Sequence, residues 1–144
     1  MRPLSLIALG LLATGGCDDI PDNDARLLLD RAQHIDVSAP IADRRQDVER
    51  LSRLPLSSPR SQALRDLCVR AHRAMIEVED AHGEVRAGLE RYGGDEAAIP
   101  EDERRQLSEQ LEAADRRLGE SRALFTECQG RLRELERSLG ATAR

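Results

Sequence analysis

The chain has 144 residues, a formal charge of −5 and 34% charged residues, yet only one Tyr, one Phe and no Trp. With so few aromatics and an apolar set made mostly of Leu and Ala, a sheet-built core is excluded and long helices or a coiled coil are favoured. Acidic and basic residues are interleaved along the chain, which excludes the basic patch a nucleic-acid-binding surface needs.

The first segment reads MRPLSLIALGLLATGGC. Arg2 gives a positive start, Leu4 to Ala13 is an apolar run, and Thr14, Gly15 and Gly16 are small residues leading to Cys17. As a helix the apolar run would span about 15 Å, half the hydrocarbon thickness of a bilayer, so it is too short for a stable transmembrane anchor. Small residues placed just before a cysteine suit a processing site. The segment resembles the type II signal peptide of bacterial lipoproteins, with Thr14 standing where that pattern usually has Leu. The resemblance covers residues 1–17 only. It implies cleavage before Cys17, a diacylglyceryl thioether on the Cys17 sulfur, commonly an acylated (for example palmitoylated) amine, and a domain held at the bacterial cell envelope on the periplasmic side. An ordinary secretory cut after Ala13-Thr14-Gly15 is the nearest rival. Asp18 and Asp19 follow the lipid site. In enteric bacteria an aspartate there implies inner-membrane retention, a rule confined to those bacteria, so inner and outer membrane both stay open.

Three cysteines are an odd number for an exported chain. Assigning Cys17 to lipid leaves Cys68 and Cys128, which an oxidising compartment allows to pair. The competing reading makes both of them small buried hydrophobes.

Residues 17–23 read as a lipidated tether and residues 24–144 as a helical domain. A short helix is expected from Asp24 to about Ile35, with Ala25, Leu28, Ala32 and Ile35 on one face. Ser38-Ala39-Pro40 breaks it. A second helix from Ile41 to Leu54 carries a thinner face of Ile41, Val48 and Leu51. After the break Leu54-Pro55-Leu56-Ser57-Ser58-Pro59, Ser58 is suited to cap the next helix and Pro59 to its first position. That helix is expected to reach Tyr92, where Gly93-Gly94 ends it. A last helix follows Pro100, with Glu101, Asp102 and Glu103 in the turn where the dipole favours acids. It is expected to reach about Leu139 and stop at Gly140.

The two long helices, a hairpin over 59–139, carry a three-four alternation of apolar residues. The first has Leu64, Cys68, Ala71, Met75, Val78, His82, Val85, Leu89 and Tyr92. The second has Leu107, Leu111, Ala114, Leu118, Ser121, Phe125, Cys128, Leu132, Leu135 and Leu139. Such spacing is a coiled-coil seam. Placing Cys68 opposite Cys128 in an antiparallel pair puts the turn near Ala98, inside the expected loop. The same register sets Leu64 against Leu132, Ala71 against Phe125, Met75 against Ser121, Val78 against Leu118, His82 against Ala114, Val85 against Leu111 and Leu89 against Leu107. Every layer matches an a position with a d position. The predicted architecture is therefore all-α: a long antiparallel helical hairpin with two short N-terminal helices packed on it as a small bundle.

No catalytic or metal site is expected. His82 falls on the seam and His72 beside it, where it should be solvated. Ten residues of helix leave these two about 80° off a shared face, a poor spacing for one metal ion. No Ser/His/Asp grouping, phosphate loop, haem-attachment motif or zinc spacing occurs, and no cofactor is implied. The functional expectation is a non-enzymatic interaction or assembly module, held at the membrane by Cys17 and docking an envelope protein partner. Off-seam Ile76, Leu124, Leu27 and Leu29 are the candidate contacts, although burial inside the bundle explains each of them more simply. A periplasmic helical-hairpin chaperone is the alternative, weakened by acidic charge and by the lack of the Leu-Thr-x-x-Gln motifs of Spy-type chaperones.

Overall fold

The computed structural model describes residues 20–142. Among these the chain forms four α-helices and no strand: α1 (Asp22–Gln33), α2 (Ile41–Ser52), α3 (Pro59–Glu90) and α4 (Glu101–Thr142), with a single 3-10 turn at Glu96–Ala98 between α3 and α4. At 1.5 Å per residue α3 is about 48 Å long and α4 about 63 Å. They pack antiparallel, and α1 and α2 lie against them.

Each helix starts at a proline. Pro21, Pro40 and Pro100 immediately precede α1, α2 and α4, and Pro59 is the first residue of α3. A ring-locked φ near −65° and a missing N–H cost nothing where the first helical N–H groups have no intrahelical partner. Ser58 caps α3, its Oγ accepting from the Ser61 N–H at 3.1 Å. The hairpin turn uses Gly93 at φ 64° and Gly94 at φ 77°, a left-handed pair that L side chains resist. From there the Gly94 N–H reaches back to the Leu89 carbonyl at 3.2 Å and closes the end of α3.

The expected faces are the buried ones. Ala25, Leu28, Ala32 and Ile35 from the first helix join Val48 and Leu51 from the second and Leu64, Leu67, Cys68, Ala71 and Leu132 from the hairpin in one core. Cys68 and Cys128 are bonded to each other, with Cα atoms 5.1 Å apart and both side chains fully buried. Two turns further along, Ser121 Oγ donates to Met75 Sδ at 3.3 Å, so the expected register holds beyond the bridge.

The structure departs from the sequence reading at four places. Asp22 and Asn23 belong to α1 rather than to a tether. Gly140 does not stop α4, which runs on to Thr142; only Gly93 and Gly94 take a positive φ among the described residues. Near the turn Leu107, expected against Leu89, also lies close over Gly88, 2.7 Å from where a Cβ would stand. Arg91 and Tyr92 both reach Glu103. A glycine inside α3 thus has a packing reason, since its bare backbone lets Leu107 sit closer than it could over any other residue. Finally Leu111, expected on the seam, is 42% exposed although Val85 across from it is buried. α2 reaches along α3 as far as Glu79 and Asp80, where Arg44 and Arg45 pair with them, and the layers nearer the turn have two helices and no third to close over them.

Candidate functional site

Of the sequence-predicted site residues, Cys17 lies outside the described residues. Cys68 and Cys128 come together as the centre of the core, where the bridge has no solvent access. Its place in the fold is therefore structural: it ties α3 to α4 one layer below the position where α1 and α2 lie over them.

Three polar arrangements differ from or add to what the sequence shows. The first is Asp24, 4% exposed on the inner side of α1. Its Oδ2 accepts from the Ser57 N–H at 2.9 Å, the Ser58 N–H at 3.1 Å and the Ser57 hydroxyl at 3.1 Å, and also from the Ser61 hydroxyl. The Ser61 bond, joined by the two backbone donors, holds the Asp24 carboxyl below its ordinary range against the opposing effect of burial. A carboxylate thus sits at the N-terminus of α3, where unpaired backbone N–H groups and the helix dipole both favour an anion. This contact pins α1 across the start of the hairpin. The visible signal was the Ser57-Ser58 pair before Pro59; what supplied its anion was a residue more than thirty positions earlier.

The second is Arg44, a buried residue of α2 whose guanidinium makes a two-pronged pair with the Glu79 carboxylate, one bond at 2.8 Å. Hydrogen bonding to Arg44 holds Glu79 below the usual carboxylate range, and the same bond raises Arg44 further. Arg45 pairs with Asp80 on the next position of both helices. Together these four residues fix the register of α2 on α3. Paired, planar recognition of this kind is what Arg supplies and Lys does not.

The third is His72, expected to be solvated and instead only 4% exposed. α2 lies over the side of α3 that carries it. The ring meets Phe125 edge-on, with centroids 5.2 Å apart. Burial, together with the nearby positive charge of Arg44, pushes its pKa below the ordinary histidine value, so the ring is held neutral. His82 is half-buried, as its seam position implied, with Nε2 3.5 Å from Asp115 Oδ1 on α4. The two imidazoles are ten residues apart on α3 and meet different residues of α4, Phe125 and Asp115. Among the described residues no group of three or more His, Cys, Asp or Glu is placed to hold a metal ion, and no helix is long and apolar enough to cross a membrane.

Among the described residues a large concavity lies at the end of the bundle where the described chain begins. It is a groove of about 800 Å³ between α1, the start of α3 and the end of α4. Leu64, Leu67, Leu124, Leu135 and Leu139 give it an apolar floor, and Ile20 forms part of its wall. Its volume is in the range of small-molecule sites. Of the four candidate contact residues, Ile76 is buried between helices, Leu29 and Leu124 pack partly against the core, and Leu27 is 42% exposed. Leu124 alone of these lines the groove.

Comparison of the chain with protein-family models, with curated proteins and with solved structures gave no match. The functional reading therefore rests on the residues and geometry alone.

Proposed function

We propose that this chain is a lipid-anchored bacterial envelope protein whose helical bundle acts as a non-enzymatic interaction or assembly module on the periplasmic side of the membrane. The observation that carries the reading is the cysteine pairing. Cys68 and Cys128 are joined in the core, which leaves Cys17 as the one cysteine outside that bond. Cys17 is also the one that follows an apolar run and a small-residue triplet. A disulfide is itself at home in an oxidising, exported compartment. The bundle then supplies a rigid hairpin anchored at one end, with the Gly93-Gly94 turn at the other, tens of ångströms away.

Two measurements test this. Mass spectrometry of the mature N-terminal peptide should show it beginning at Cys17 with a diacylglyceryl adduct; an unmodified peptide refutes the anchor. In-cell crosslinking and affinity purification of the tagged full chain, compared with Cys17→Ala, should enrich one discrete envelope protein with the lipidated form. A broad set of unfolded proteins captured by both forms would instead indicate a chaperone.

A further inference from the structure

The groove at the anchor end is bordered by core residues, Ala25, Leu64, Leu67 and Leu135 among them, and its position suggests what it holds. Ile20, on its wall, lies three residues after Cys17. Three residues reach at most about 10 Å even when fully extended, so any group carried on the Cys17 sulfur or amine is delivered within one short tether of the groove mouth. We propose that the groove receives one acyl chain of the lipid on Cys17, the remaining chains staying in the bilayer. This inference rests on the lipid-anchor reading.

The chemistry of the groove selects among apolar occupants. Its apolar lining includes leucines from α3 and α4, set in a half-open concavity between helices. Its rim carries three arginines, Arg60, Arg70 and Arg131, and three carboxylates, Asp22, Glu127 and Glu134. Equal numbers of opposite charges leave no net attraction for an anionic headgroup. A free fatty acid or an anionic phospholipid would bring uncompensated negative charge, whereas an ester- or amide-linked chain of a thioether diacylglyceryl cysteine brings none; a zwitterionic phospholipid is equally neutral, and against it the short tether favours the chain on Cys17. The charge balance and the tether length thus point to the same occupant. A chain bound here would fix the base of the bundle against the membrane surface and hold the hairpin at a set angle to it, where a lipid anchored only in the bilayer would leave the domain free to swing on its tether.

The test uses the full chain in cells fed an alkyne-bearing, diazirine-bearing palmitate analogue. After irradiation of isolated membranes, the protein is purified and digested, and lipid-linked peptides are identified by mass spectrometry. The inference expects the acylated Cys17 peptide joined to the peptides holding Leu64 and Leu67 or Leu135 and Leu139, several-fold above peptides from the Gly93-Gly94 turn. Ala63 lines the groove yet is exposed, so Ala63→Trp places a large ring in the groove without opening the core. It should lower those crosslinks several-fold while leaving the thermal melt unchanged. Analogue present on Cys17 but crosslinked only to membrane lipid, or equally to groove and turn peptides, overturns the inference and leaves the lipid-anchor reading intact. A Cys17 peptide without any acyl group overturns both, and the intact mass of that peptide tells the two failures apart.

Discussion

Reduction of the Cys68–Cys128 bridge is the perturbation with the largest consequence for this bundle. The bond closes a loop of 60 residues that contains the whole turn and most of both long helices. In the chain-entropy treatment, freeing a loop of that size in the unfolded state lowers stability by about 4 kcal/mol at 25 °C. For a domain of this length each kcal/mol moves the melting temperature by roughly 3–6 °C, so the expected fall is roughly 10–25 °C. The bundle has limited means to absorb this, because its turn-proximal half is only two helices thick and Leu111 there remains half-open to water. The assay is a thermal melt followed by far-UV circular dichroism, on the oxidised protein, the reduced and alkylated protein, and a Cys68→Ala/Cys128→Ala variant. The alanine pair separates the cross-link from the bulk of an alkyl group in a fully buried site. Because neither sulfur has solvent access, reduction of the native protein should also be slow and should accelerate near the melting midpoint. Melts that coincide within a few degrees for the oxidised protein and the double alanine variant would refute the argument, since they would mean that seam packing alone holds α3 to α4.

Three further outcomes are expected. Gly83 and Gly119 have open space where a Cβ would stand, so Gly83→Ala and Gly119→Ala should each stabilise by about 0.5–1 kcal/mol through helix propensity; Gly88→Ala meets Leu107 and should give no gain or a small loss in the same melts. Arg44 is buried whereas Glu79 is more than a third exposed, so the two sides of the pair are not equivalent. Glu79→Gln leaves a buried cation without its counter-charge and should cost about 1–3 kcal/mol, while Arg44→Met lets Glu79 return to water and should change stability by about 1 kcal/mol or less, read by urea denaturation. The pKa of His72 is depressed in the folded state relative to the unfolded chain, so its contribution to stability is fully present above the unfolded value near 6.5. It is lost progressively as pH falls below that value, where only the unfolded state takes up the proton. The melting temperature should drop across that interval in the wild type and stay flatter in His72→Gln; parallel curves would show that the ring is reached by solvent.

How much of this was legible in advance depended on whether the relevant signal was local. The four helices follow from proline and glycine punctuation and from three-four spacing, which act over a few residues, and their boundaries fall within about three residues of the expected ones. The seam register was legible as well, because an antiparallel pair closed by a short turn has few registers available and Cys68 opposite Cys128 satisfies every layer at once. His72 was misplaced for the opposite reason. Beside the seam of an isolated hairpin it would be wet, and only the docking of α2 makes it dry. Asp24 looked like one of many solvated acids until the start of α3 was brought against it.

The sequence by itself determined the all-α class, the hairpin, the facing of Cys68 and Cys128 and most of the core faces, because period, capping and chain stiffness are encoded by near neighbours; the bond itself was decided by a Cα separation of 5.1 Å that only the structure supplies. Only the tertiary structure decided which polar groups would be buried and paired, where Leu107 would settle over Gly88, and that α1 with the ends of α3 and α4 would enclose a groove beside the residues that follow Cys17. Those outcomes depend on the angle and height at which α1 and α2 meet the hairpin. Many weak contacts between residues distant in the chain set that geometry together, and no local pattern records their sum.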